Sequence, residues 1–79
     1  MESDDLLKRI TFLPEICHGK PTVRGSRYMV QSILELLASG MSNDQILEDY
    51  KDLEIEDLRA CLLFAARIAE VKNVSKLVA

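Results

Sequence analysis

The residues of this chain best suited to chemistry lie close together, Cys17, His18 and Lys20, followed by Arg24 and Arg27. A thiol beside an imidazole is the pairing of a nucleophile with its base. Neighbours in sequence seldom point at each other, however, and no third group to orient His18 is apparent, so catalysis is not expected and no catalytic residue is assigned. Two cysteines and one histidine are too few for a structural zinc site within one chain, and Cys17 and Cys61 lie far apart. No metal and no cofactor are expected, and both thiols should be reduced. Cys61 falls on an apolar helical face, where a cysteine is usually a small core residue. The arginines suggest different chemistry: arginine reads guanine edges bidentately, and a β-ribbon fits the DNA major groove. Lys8, Arg9, Lys20, Arg24 and Arg27 are therefore the candidate DNA-binding residues. The competing reading is that Arg24 and Arg27 pair with acids elsewhere in the chain.

The elements that must position these residues are short. Arg9 to Phe12 has the β-branched and aromatic character of a strand, which Pro14 ends. Thr22-Val23 and Tyr28-Met29 read as the arms of a small hairpin turning through Arg24, Gly25 and Ser26. From Val30 to Tyr50 the chain reads as two helices joined by a tight turn. Val30, Ile33, Leu34 and Leu37 share one helical face, Gly40 stops the first helix, Ser42 caps the second and Gln45 completes a capping box. A third helix from about Ile55 to Val71 carries a stripe of Leu58, Cys61, Leu62, Ala65, Ile68 and Ala69, expected to be buried. Its first turn is acidic, with Glu54, Glu56 and Asp57 at the positive end of the dipole. The expected fold is mainly α: a three-helix bundle with a helix-turn-helix, preceded by a short β-hairpin or ribbon. The organisation is one domain, with a flexible terminus over residues 1–8, the ribbon over 9–28, the bundle over 29–71 and a tail over 72–79.

The 79 residues allow one domain with a modest core, and only four aromatic residues leave that core mostly aliphatic. Self-association, most simply a homodimer, is expected. No run approaches the roughly eighteen apolar residues of a membrane span, and the acidic start MESDDLLKR is unlike a secretory signal, so no membrane partner and a cytoplasmic location are expected.

A net charge of −3 argues against indiscriminate coating of nucleic acid. The distribution is segregated. From Leu6 to Tyr28, five cations face Glu15 alone, giving +4; from Glu35 to Asp57, eight acids face Lys51 alone, giving −7. A recognition helix beginning with Glu54, Glu56 and Asp57 would meet phosphate with like charge, so any contact with DNA is expected from the ribbon.

The run Ile16-Cys17-His18-Gly19-Lys20-Pro21-Thr22-Val23-Arg24-Gly25-Ser26-Arg27 resembles the signature of a widespread prokaryotic domain of unknown function, the family numbered 433. Its later pattern is also present, in Ile33-Leu34, Leu37-Ala38, Gly40-Met41-Ser42, Ile46-Leu47, Asp49-Tyr50, Leu53, Glu56-Asp57 and Ala65-Ala66. The chain departs from the pattern where the family usually shows proline, at Met29 and Lys51, and where it shows threonine or serine, at Glu54. The resemblance implies a homeodomain-like bundle and the role of a VapB-type antitoxin, a type II toxin–antitoxin partner of a nuclease-like toxin with a PIN-related fold. Such a protein needs an operator-binding surface and a segment that blocks the toxin. Asp44, Glu48 and Asp49, with Val74, Leu77 and Val78 of the tail, are the candidate toxin-binding residues, because an acidic surface suits a basic, RNA-binding cleft. The alternative is a stand-alone dimeric DNA-binding regulator or adaptor without a toxin.

Overall fold

A computed structural model describes residues 3–70 of the chain. Among them are helix α1 (Ser3–Leu7), strands β1 (Ile10–Thr11) and β2 (Thr22–Val23), and helices α2 (Val30–Ala38), α3 (Asn43–Asp49) and α4 (Ile55–Ala69). The fold is mainly helical, with an antiparallel two-stranded ribbon ahead of the three-helix bundle.

The punctuation between α2 and α3 follows from local hydrogen bonding. Gly40, at φ 102°, takes the left-handed position that closes a Schellman motif. Its N–H donates to the Leu37 carbonyl at 3.1 Å, and the Met41 N–H donates to that of Leu36 at 3.3 Å. Ser42 then caps α3 reciprocally: the Gln45 N–H donates to Ser42 Oγ at 3.2 Å, and the Ser42 N–H donates to Gln45 Oε1 at 2.8 Å. Four orphan groups at two helix ends are thereby satisfied between Leu36 and Gln45.

The ribbon pairs differently from the expected hairpin. β2 has β1 as its main partner, in the register Ile10 opposite Val23 and Thr11 opposite Thr22, and the Tyr28-Met29 arm is reduced to a bridge between Thr22 and Met29. Pairing with β1 buries Ile10 and Val23 in the core. It also lets the fully buried Thr22 hydroxyl meet that of Thr11 at 3.0 Å. The expected turn at Arg24 and Gly25 is present, closed by the Ser26 N–H on the Val23 carbonyl at 2.9 Å. Both turn residues have positive φ, 48° and 70°, as in a type I′ turn.

The core joins the ribbon to all three large helices: Ile10, Val23, Val30, Ile33, Ile46, Leu53, Leu58, Ala60 and Cys61. Leu34, Leu37, Leu47 and Tyr50 are half-buried around it. Two expectations are corrected here. The flexible terminus expected over residues 1–8 contains α1, whose Leu6 packs on the core. The stripe of α4 is buried only through Leu58 and Cys61. Leu62 and Ala69 are exposed because they lie off the side of α4 that Asp57, Ala60, Cys61 and Phe64 turn inward, and Ile68, in line with that side, is 48% exposed one turn beyond the half-buried Phe64. No helix among the described residues is long and apolar enough to cross a membrane.

Candidate functional site

The two ribbon arginines nearest the core converge on one carboxylate. The Arg24 N–H donates to the Arg9 carbonyl at 2.7 Å, so the ribbon ladder sets these residues side by side above the N-terminus of α4. Arg24 then forks onto Asp57, with Nε 2.9 Å from Oδ1 and Nη2 2.7 Å from Oδ2. Its Nη2 also donates to the Asp52 carbonyl at 2.8 Å. Arg9 Nη1 reaches Asp57 Oδ1 at 2.9 Å and Glu54 Oε1 at 2.8 Å. The Glu54 N–H donates to Asp57 Oδ2 at 2.8 Å, so Asp57 caps α4 while it binds both arginines.

Asp57 is completely buried, and each of its oxygens accepts two hydrogen bonds. That arrangement sets its titration. Burial alone would raise the carboxyl's pKa, but hydrogen bonds from Arg24, the Glu54 N–H and Arg9 outweigh it and leave Asp57 below the usual carboxylate range. Arg9 is shifted upward by its hydrogen bonds to Glu54 and then Asp57, and Arg24 by its hydrogen bond to Asp57. For Arg24, pairing with an acid of the helical half is the arrangement found. The cluster fastens ribbon to bundle, and its arginines already have carboxylate partners.

In the sequence Asp57 stands out as an acid of the α4 first turn and as part of the family pattern, not as the centre of an ion-pair cluster. The available signal was the Glu54-x-x-Asp57 spacing, which matches a capping box with glutamate at the cap; nothing local indicated that two distant arginines would share it.

The other candidates lie at the surface. Lys8 makes a solvent-exposed pair with Asp5 at 3.6 Å. Lys20 and Arg27 are exposed and form no ion pair among the described residues. The segments that carry them are tied together: the Val30 N–H donates to the Pro21 carbonyl at 3.0 Å, and Cys17 Sγ lies 3.9 Å from the Arg27 carbonyl. Immediately before Lys20 the chain makes a tight turn at Cys17, His18 and Gly19, with φ of 52°, 57° and 80°. Positive φ at two non-glycine residues in a row stores backbone strain. His18 is exposed there and Cys17 half-buried, with no hydrogen bond between them among the described residues. Among the described residues, no group of three His, Cys, Asp or Glu side chains is placed to hold a metal ion.

On the acidic side, Asp44, Glu48 and Asp49 of α3 are all exposed and make no ion pair among the described residues. Asp44 and Glu48 are one helical turn apart on the same face. Val74, Leu77 and Val78 lie outside the described residues.

Comparison with known proteins adds a family and little chemistry. The model of the family described as "Protein of unknown function (DUF433)" matches residues 10–65, which include Arg24 and Asp57 of the cluster and begin one residue after Arg9. The chain is also similar to the "Uncharacterized protein y4eO" of Sinorhizobium fredii (strain NBRC 101917 / NGR234). The two are 34% identical over 56 residues, which is 71% of this chain and 25% of that protein. The chain therefore spans about a quarter of the length of that curated relative. No solved structure matches.

Proposed function

The chain belongs to the DUF433 family of proteins of unknown function, and from that membership and the charge of its faces we propose that it is a cytoplasmic, non-catalytic inhibitor of the antitoxin type. Its acidic helical face covers the basic, RNA-binding cleft of a nuclease-like toxin of PIN-related fold. DNA contact is a second activity, carried by Lys20 and Arg27 with a smaller share from Lys8.

The observation that carries this reading is what remains of the charge after internal pairing. Arg9 and Arg24 are neutralised by Asp57 and Glu54. By contrast Glu35, Asp44, Glu48, Asp49, Asp52 and Glu56 have no ion-pair partner among the described residues, and all but the half-buried Glu56 are exposed. Carboxylates held on short, capped helices need little further ordering on binding, and they steer a basic partner toward them over a Debye length of about 8 Å at physiological salt. Lys20 and Arg27 suit phosphate contact, which positions a protein on DNA without reading its sequence.

The test is co-purification with the product of the adjacent reading frame, followed by kinetics at two salt concentrations. Glu48→Lys with Asp49→Lys should slow association roughly tenfold or more at low salt, and high salt should reduce the difference. Lys20→Ala and Arg27→Ala should leave that complex intact and each lower the salt slope of DNA binding by about one. A doubly reversed variant that binds the nuclease like the parent at both salts would refute the assignment of the acidic face. If the neighbouring frame encodes no such nuclease, the stand-alone regulator becomes the better reading.

A further inference from the structure

The distal half of α4 and the groove beside it form an apolar face that the charge argument leaves unused. Pro21, Leu34, Ala38 and Phe64 line an open groove of about 380 Å³ between α2 and α4. Phe12, 57% exposed, packs on Phe64 with ring centroids 6.0 Å apart, and Ile68, 48% exposed, follows Phe64 one turn along the same side of α4. Over its last two turns α4 exposes Ala66, Ile68 and Ala69, although the apolar pattern continues from the buried Leu58 and Cys61.

We propose that this face is the contact between two copies of the chain, each laying the last turns of its α4 into the α2–α4 groove of the other. Two features favour a second copy over an unlike partner. One molecule carries both an exposed apolar stretch of helix, at Ala66, Ile68 and Ala69, and an apolar groove next to it, so a two-fold axis satisfies both at once and closes the assembly. The face is also nearly neutral: the groove has Glu35 as its one charged lining residue, and Arg67 on the helix end pairs with Glu70 at 3.1 Å. Docking brings Arg67 of one copy toward the opposite charge of Glu35 in the other, and no block of like charge meets itself. A basic partner would find its match on the α3 side instead. The inference does not depend on the nuclease reading.

Sedimentation or light scattering of the full chain over a hundredfold concentration range tests it. The parent should report twice the chain mass of 8.9 kDa. Ile68→Asp should raise the dimer dissociation constant by about 100-fold or more, because each dimer would bury the new carboxylate twice. Phe12→Ser, from a different element, should weaken it in the same direction, and Glu48→Lys should leave it unchanged. Both apolar positions are already about half exposed, so the variants should keep the parent's helical circular dichroism and urea midpoint when compared as monomers. A parent that stays monomeric throughout would overturn the proposal, whether the face is bare, covered by residues 71–79 of its own chain or taken by another protein. So would an Ile68→Asp chain that dimerises as tightly as the parent.

Discussion

Replacing Asp57 with asparagine keeps the side-chain shape and removes one charge, which makes it the sharpest probe of how ribbon and bundle are joined. A chain of 79 residues has roughly 4–12 kcal/mol of stability in total. Breaking a buried ion pair by removing one partner costs ~3–5 kcal/mol, most of it from the charge left behind. Here two features reduce that cost. Arg9 keeps Glu54 at 2.8 Å, and Arg24, 42% exposed, can turn toward water. Against them, the asparagine amide group cannot accept the hydrogen bonds that one carboxylate oxygen took. Asp57→Asn should therefore lose ~2–4 kcal/mol at neutral pH in a urea titration followed by circular dichroism. Arg24→Ala should lose less, ~1–2 kcal/mol, because Asp57 retains Arg9 and the Glu54 N–H. The pH dependence is a second readout. Asp57 sits below its usual range in the folded state, so its stabilisation is complete above the unfolded pKa of about 3.9 and is lost as pH falls through the lower folded value. The gap between parent and Asp57→Asn should accordingly narrow on acidification below about pH 4. A variant within ~0.5 kcal/mol of the parent at pH 7, or a gap that does not change with acid, would refute the view that this cluster holds ribbon to bundle.

The other elements make simpler demands. Ser42→Ala should cost ~1 kcal/mol through loss of the α3 cap, and Ile46→Ala, which empties a fully buried site, ~2–5 kcal/mol in the same urea assay. Leu37→Ala should fall below Ile46→Ala, because Leu37 is only half-buried. A thiol reagent at neutral pH should label Cys17 and spare Cys61 until urea is added, since Cys61 is completely buried and burial, with the charge of Asp57, pushes its thiol up to about 12. Equal labelling rates in the native protein would show that α4 is not packed as described.

Features that depend on groups a few residues apart were legible in the chain alone. The Gly40 stop, the Ser42–Gln45 box and the left-handed turn at Arg24-Gly25 are all closed by bonds between near neighbours, and the residue types needed for them stand visibly in order. The family was legible for a related reason, since its signature is a continuous run. Which arginines remain available follows from long-range packing. Arg24 and Arg9 stand 33 and 48 residues from Asp57, and no periodicity reaches that far. Strand pairing has the same character: Thr22-Val23 could close with Tyr28-Met29 or with Ile10-Thr11, and burial of Ile10 favours the longer loop. The stripe on α4 shows the limit most plainly. Helical periodicity shows that Leu58, Cys61, Ala65 and Ile68 share a side, but whether that side is covered depends on how far the neighbouring elements extend. In this chain they cover Leu58 and Cys61 and leave Ile68 about half exposed.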